Sequence, residues 1–149
     1  MAMLNHSSSK KERQRGQAFI EVTLLVPFIF FLFIGVLDMG FYAYALISTE
    51  NAARVAAMYT SSGSSTAADS AGACTYALAE LNSMSNVRGL SSCNALPVQV
   101  TASSVANGAD GAPASSVSVT YQTSLMIPIP GLAGQYTVTR TVQMRLKDS

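Results

Sequence analysis

Glu21 is the only charged residue in the twenty-residue stretch from Ala18 to Leu37, AFIEVTLLVPFIFFLFIGVL. A carboxylate inside an apolar run costs up to about 2.5–3.5 kcal/mol on membrane-insertion scales, and less near the interface. Glu21 therefore either stays hydrated beside the headgroups or finds a cation. The nearest candidates are the cationic end of its own chain and that of a neighbouring chain. Cys74 and Cys93 are the other reactive groups, and the only two cysteines. Placed outside the cytoplasm, two cysteines most simply form one disulfide.

Little else on the chain could do chemistry. His6 is the only histidine and precedes the apolar run, so the rest of the chain has no material for His-based acid catalysis or a His-rich metal site. Oxidised cysteines cannot serve as thiolate ligands. Asp110, in the run N-G-A-D-G, lacks the regularly spaced acidic oxygens of a calcium loop, and its neighbours are turn formers. There is no P-loop and no dinucleotide fingerprint. The expectation is a non-enzymatic protein without cofactor or metal.

The element that must position Glu21 is a helix. Twenty residues at 1.5 Å each span roughly 30 Å, the thickness of a bilayer hydrocarbon core. Lys10, Lys11, Arg13 and Arg15 precede it and belong on the cytoplasmic side, which puts residues from about 50 onward across the membrane. Asp38 closes the run, and Phe41, Tyr42 and Tyr44 form an aromatic edge beyond it. A secretory signal peptide shares this order of charges. Here, however, the run exceeds the usual 7–15 residues, and helical spacing continues through Leu46, Ile47, Ala52, Ala53, Val55, Ala56 and Tyr59. Pro27 cannot donate to the Thr23 carbonyl, so a kink is expected there. Gly35 and Gly40 permit close backbone approach. Glu50 and Arg54 suit an i,i+4 pair, and the S-S-G-S-S-T run at 61–66 ends the helix near Tyr59. From Gln17 such a helix is roughly 65 Å long, a geometry for stacking subunits rather than for enclosing a substrate.

The residues beyond form a small domain. Asp69 is placed to cap a second helix from about Ala71 to Met84, with Tyr76, Ala77, Leu81 and Met84 as its packing face. Cys74 falls inside that helix and Cys93 just after it, so a bond would staple the intervening loop. Period-two alternation then predicts three antiparallel strands, centred on Val98–Ala102, Val117–Tyr121 and Tyr136–Leu146. Arg140 interrupts the apolar face of the last. Residues 107–113 make the first connection; Pro128, Pro130, Gly131 and Gly134 make the second. An apolar sheet face needs a cover, and the outer half of the long helix is available for it. The fold class is α+β, in three parts: residues 1–16 before the helix, 17–60 the helix itself, and 61–149 a helix-and-sheet domain. Without the first sixteen residues the chain is slightly acidic, and no basic patch argues for nucleic acid.

The stretch Arg15-Gly16-Gln17-Ala18-Phe19-Ile20-Glu21 resembles the prepilin pattern, in which a membrane peptidase cuts after glycine and glutamate becomes the fifth mature residue. Residues 15–59 resemble more closely the TadE-like family of tight-adherence pilus proteins, through R-G-Q-A-F-I-E-V-T-L-L-V-P-F, the spacing of Gly35, Asp38, Met39, Gly40 and Tyr44, and Asn51-Ala52-Ala53-Arg54. The resemblance implies a type IV pilin-like fold, with residues 1–16 as a cytoplasmic leader cut between Gly16 and Gln17, and methylation of the product. It implies residence in a bacterial inner membrane, with the domain outside, followed by assembly into a surface filament used in adhesion. The implied partners are other pilin subunits, prepilin peptidase, the tight-adherence assembly machinery and the lipid bilayer. Glu21 would meet the Gln17 amine of an adjoining subunit. Major pilins of this type are little more than the helix. The roughly ninety residues after Tyr59 favour a minor pilin or pseudopilin. The other expectation is a membrane-tethered binding or adhesin module that never enters a filament.

Overall fold

The structure, a computed structural model, describes residues 8–124 and 134–147. Its elements in chain order are α1 (Ser8–Thr60), α2 (Ser70–Leu81), β1 (Asn94–Ala95), β2 (Val98–Val105), β3 (Ala114–Gln122) and β4 (Thr137–Arg145). They fall into two compact units, divided between Gly40 and Phe41.

The first unit is the N-terminal part of α1. The chain is already helical at Ser8, the first described residue, so the helix runs through Gly16 and into the expected leader. The Lys, Glu, Arg and Gln residues around Gly16 are strong helix formers, and a single glycine costs only about 1 kcal/mol, too little to break the run. The backbone also stays helical across Pro27. Thr23, whose carbonyl Pro27 cannot satisfy, donates its hydroxyl to the Phe19 carbonyl at 2.7 Å. Apart from half-buried Ile34, the large apolar side chains of this stretch are exposed, from Phe19 at 78% to Leu37 at 41%. Among the described residues, this is the one helix long and apolar enough to cross a membrane.

The second unit is a four-stranded antiparallel sheet in the order β1-β2-β3-β4 with helices on one face. Three of the strands are those expected. The fourth, β1, is only two residues long, too short to show periodicity, and pairs Asn94 with Gln99 and Ala95 with Val98 across the cis Leu96–Pro97 peptide. The register aligns Val98, Val100 and Ala102 with Tyr121, Val119 and Val117, and these in turn with Val138, Arg140 and Val142. That parity faces the helices, and Val98, Val117 and Val119 are wholly buried. The opposite face is hydroxyl-rich, with Thr120 and Thr139 bonded at 2.9 Å and Thr141 donating to Ser118 at 3.1 Å.

The expected cover is present. Ala45, Ser48, Thr49, Ala52, Ala53, Ala56, Ala57 and Thr60 recur at three- and four-residue intervals on α1, and all are buried. α2 adds Ala73, Cys74, Ala77 and Leu81. The packing face of α2 differs in part from the expected one. Tyr76 is 45% exposed, Ala73 and Cys74 are buried instead, and the helix stops at Leu81, leaving Met84 buried in the turn that follows. The α1 stripe contains nothing larger than threonine, so each of its residues buries little apolar area. Polar links and the disulfide therefore carry more of the unit's cohesion than they would in a leucine-rich core.

The connection after β2 is held by backbone bonds from Gly108 to the Ala112 carbonyl (2.8 Å) and from Gly111 to the Gly108 carbonyl (2.9 Å). Gly111 takes φ of 78°, which side-chain-bearing residues rarely adopt. Asp110 Oδ1 accepts from the Ala112 N–H at 3.1 Å, the turn chemistry expected of it. The expected second connection lies at 128–134; its Pro128, Pro130 and Gly131 fall outside the described residues.

Candidate functional site

Gly16, Gln17 and Glu21 lie on consecutive turns of one continuous helix. Gln17 and Glu21 are both exposed, and the Gln17 side-chain amide approaches Glu21 Oε1 at 3.5 Å, the outer limit of a hydrogen bond. Around them Phe19, Ile20, Val22, Leu24 and Leu25 are all more than half exposed. The chain thus presents a carboxylate, weakly engaged by its own amide, in the midst of an apolar helical surface.

Cys74 and Cys93 are bonded, with their Cα atoms 5.7 Å apart. The link joins α2 to the segment entering β1, where Val100 donates its N–H to the Cys93 carbonyl at 3.0 Å. A hollow of about 290 Å³ lies beside it, where Ser70, Ser91, Ser92 and Asn94 join Ala71, Val100 and the two cysteines.

Asp69 caps α2 as expected, its Oδ1 accepting from Ala71 N–H at 3.1 Å and Gly72 N–H at 2.9 Å. Its other oxygen accepts the Tyr59 hydroxyl at 2.7 Å, a contact the cap pattern alone does not reveal. The Gly72 amide, then the Tyr59 hydroxyl, hold the Asp69 carboxyl below its ordinary value, while the same hydrogen bond pushes the Tyr59 phenol upward. Tyr59 stacks on Tyr76 with ring centres 4.8 Å apart. Gly72 makes room for this arrangement, since a Cβ there would fall on the Tyr59 ring and the Asp69 carboxylate.

Three further links tie α1 to the sheet within the second unit. Tyr42 meets Tyr136 with ring centres 5.1 Å apart. Glu50, besides pairing with Arg54 at 3.2 Å as the spacing suggests, lies 3.7 Å from Arg140 of β4. Buried Ser115 on β3 donates to the Ala67 carbonyl at 2.8 Å and sits 2.7 Å from Thr60 Oγ1. The signal for the last two was their parity: Arg140 and Ser115 are polar residues at positions where alternation calls for apolar ones. At the far end of β3, Tyr121 donates to Asn86 Oδ1 at 2.7 Å, and Asn86 in turn donates to the Gln122 carbonyl at 2.8 Å; burial pushes the Tyr121 phenol upward.

Among the described residues no three His, Cys, Asp or Glu side chains converge as a metal site. The features that stand out belong to a protein with a long apolar helix, a candidate membrane span, and an α+β domain built on its C-terminal part. Within that class, residues 16–58 match the family model described as TadE-like protein, so this N-terminal segment is similar to that family. The match covers less than a third of the chain: the helix from Gly16 almost to its end, and none of the sheet. Neither a curated protein nor a solved structure matches the chain.

Proposed function

We propose that the chain is a minor pilin or pseudopilin of a tight-adherence pilus, cut by prepilin peptidase between Gly16 and Gln17 and assembled through α1. The observation that carries this reading is the position of Glu21, exposed on an apolar helical surface five residues after Gly16, inside the segment that matches the TadE-like model. In a lipid or filament interior that carboxylate is costly unless a cation meets it. Cleavage after Gly16 creates such a cation, the Gln17 amine. An amine on one subunit and Glu21 on the next would pair at a fixed axial offset, so the contact sets register even if desolvation leaves it near break-even in free energy. The precursor waits in the inner membrane with its basic end in the cytoplasm, and the sheet domain lies outside. The protein acts as a structural part and not as an enzyme.

A Glu21→Gln variant keeps the shape and one acceptor oxygen but removes the charge. The expected result is a protein that inserts in the membrane and forms its disulfide yet is missing from sheared surface filaments. Filaments containing the variant at the native level would exclude the pairing role.

A further inference from the structure

Among the described residues β4 is an outer strand, laddered to β3 alone. Thr123 donates its N–H to the Tyr136 carbonyl at 2.9 Å. That bond sets the phase of the ladder: Val138, Arg140, Val142 and Met144 direct their backbone groups toward β3, and the residues between them direct theirs away. Among the described residues none pairs with the outward N–H of Thr139, Thr141 or Gln143. The strand is nine residues long and contains no proline or lysine. Outer strands are normally blunted by such residues, by shortness or by an inward charge. Here the inward charge is Arg140, which Glu50 engages and whose Nη1 also donates, at 3.4 Å, to the outward Thr139 carbonyl, leaving the outward N–H groups as the open part of the edge.

Beside this edge, on the helix side of the sheet, lies a groove of about 320 Å³ lined by Leu46, Ile47, Glu50, Asn51, Arg54 and Arg140. Ile47 is 61% exposed. Two guanidinium groups face a single carboxylate, so the groove holds a surplus positive charge next to an apolar wall.

The geometry points to a strand-addition site, at which an extended segment of another protein pairs with the outward backbone of β4 and lowers an acidic and an apolar side chain into the groove. Backbone pairing requires an extended occupant, and side chains two residues apart then point the same way. An incoming carboxylate balances Arg54 and Arg140, and a neighbouring apolar side chain covers Ile47. A second copy's β4 fits poorly: antiparallel pairing about Thr141 would bring another Arg140 to a groove already in cationic surplus.

The test uses the full chain in phosphatidylcholine nanodiscs and a fluorescein-labelled synthetic peptide, Thr-Val-Thr-Glu-Thr-Val-Thr-Val-Thr, read by anisotropy. Saturable binding is expected, weakened at least tenfold when the peptide's Glu becomes Lys. N-methylation of the alternate amides along one edge of the peptide should abolish binding, and the same change along the other edge should leave it intact. Thr141→Pro removes one outward N–H and should weaken binding at least tenfold; the methylated peptides ask the same question of the unaltered protein. Three results would each overturn the site: no saturable binding up to about 1 mM, equal affinity for the Glu and Lys peptides, or equal affinity for the two methylated forms.

Discussion

Ser115 on β3 and Thr60, the last residue of α1, hold their hydroxyl oxygens 2.7 Å apart with both side chains fully buried. The Ser115 hydroxyl also reaches the Ala67 carbonyl, so one side chain joins the end of the long helix, the loop after it and the middle strand of the three long ones. The α1 stripe facing the sheet is made of alanine, serine and threonine, and interlocking side-chain shape there does little to fix how far the helix slides along the strands. A short buried hydroxyl pair is sensitive to such sliding, because its geometry tolerates only a few tenths of an ångström.

Ser115→Ala should therefore destabilise the sheet domain by about 1–3 kcal/mol, the cost of leaving a buried acceptor unsatisfied. Urea unfolding followed through the tyrosines would measure it. Thr60→Ala combined with Ser115→Ala should cost less than the sum of the two single changes, since the hydroxyls satisfy each other.

Gly72→Ala places a methyl group where the Tyr59 ring and the Asp69 carboxylate now sit. Alanine is the better helix former, by about 1 kcal/mol, yet the substitution should be destabilising by ~1–3 kcal/mol through overpacking. Replacing Tyr59 by a smaller residue in the same protein should recover part of the loss. If Gly72→Ala raised stability by itself, the Tyr59–Asp69 arrangement would not be the constraint described.

The Asp69 cap makes a prediction about pH. Its carboxyl is held below the ordinary 3.8 by the Gly72 amide and the Tyr59 hydroxyl, so the unfolded chain binds its proton first as acid is added. The stability it contributes is complete above the unfolded value and is lost as pH falls through the lower folded one. Tyr59 runs the opposite way. Its phenol is raised above 10.0, so its share is intact below that pH and lost as pH rises through the folded value. Stability profiles of the wild type and of Asp69→Asn should diverge at neutral pH and converge in strong acid, and the variant should also show a smaller alkaline decline. Parallel profiles would show that the cap is not coupled to folding.

Much of this architecture is legible in the sequence, for identifiable reasons. The membrane-length helix announces itself by its unbroken apolar run, Asp69 by standing ahead of an apolar-periodic segment, and β2, β3 and β4 by strict alternation. The Cys74–Cys93 bond follows from there being only two cysteines in a domain expected outside the cytoplasm. Four features were not legible. β1 is two residues long and carries no period. The continuation of α1 back through Gly16 reflects the helix formers around it, which a cleavage-site pattern conceals. Tyr59 reaches Asp69 across the turn that follows α1, a contact of tertiary origin. Arg140 read only as an interruption of an apolar face, because its partner Glu50 lies ninety residues earlier, where the local i,i+4 spacing pointed to Arg54. Glu21 itself is legible as an anomaly in an apolar run, and the pairing proposed for it involves a neighbouring chain.

The central claim, that α1 is processed and then used as an assembly element, is tested most directly by the N-terminus of the protein in sheared surface material, read by mass spectrometry. The account predicts a chain beginning at Gln17, with Glu21 as its fifth residue. A chain that retains its first sixteen residues, or one cut beyond Leu37, would contradict it.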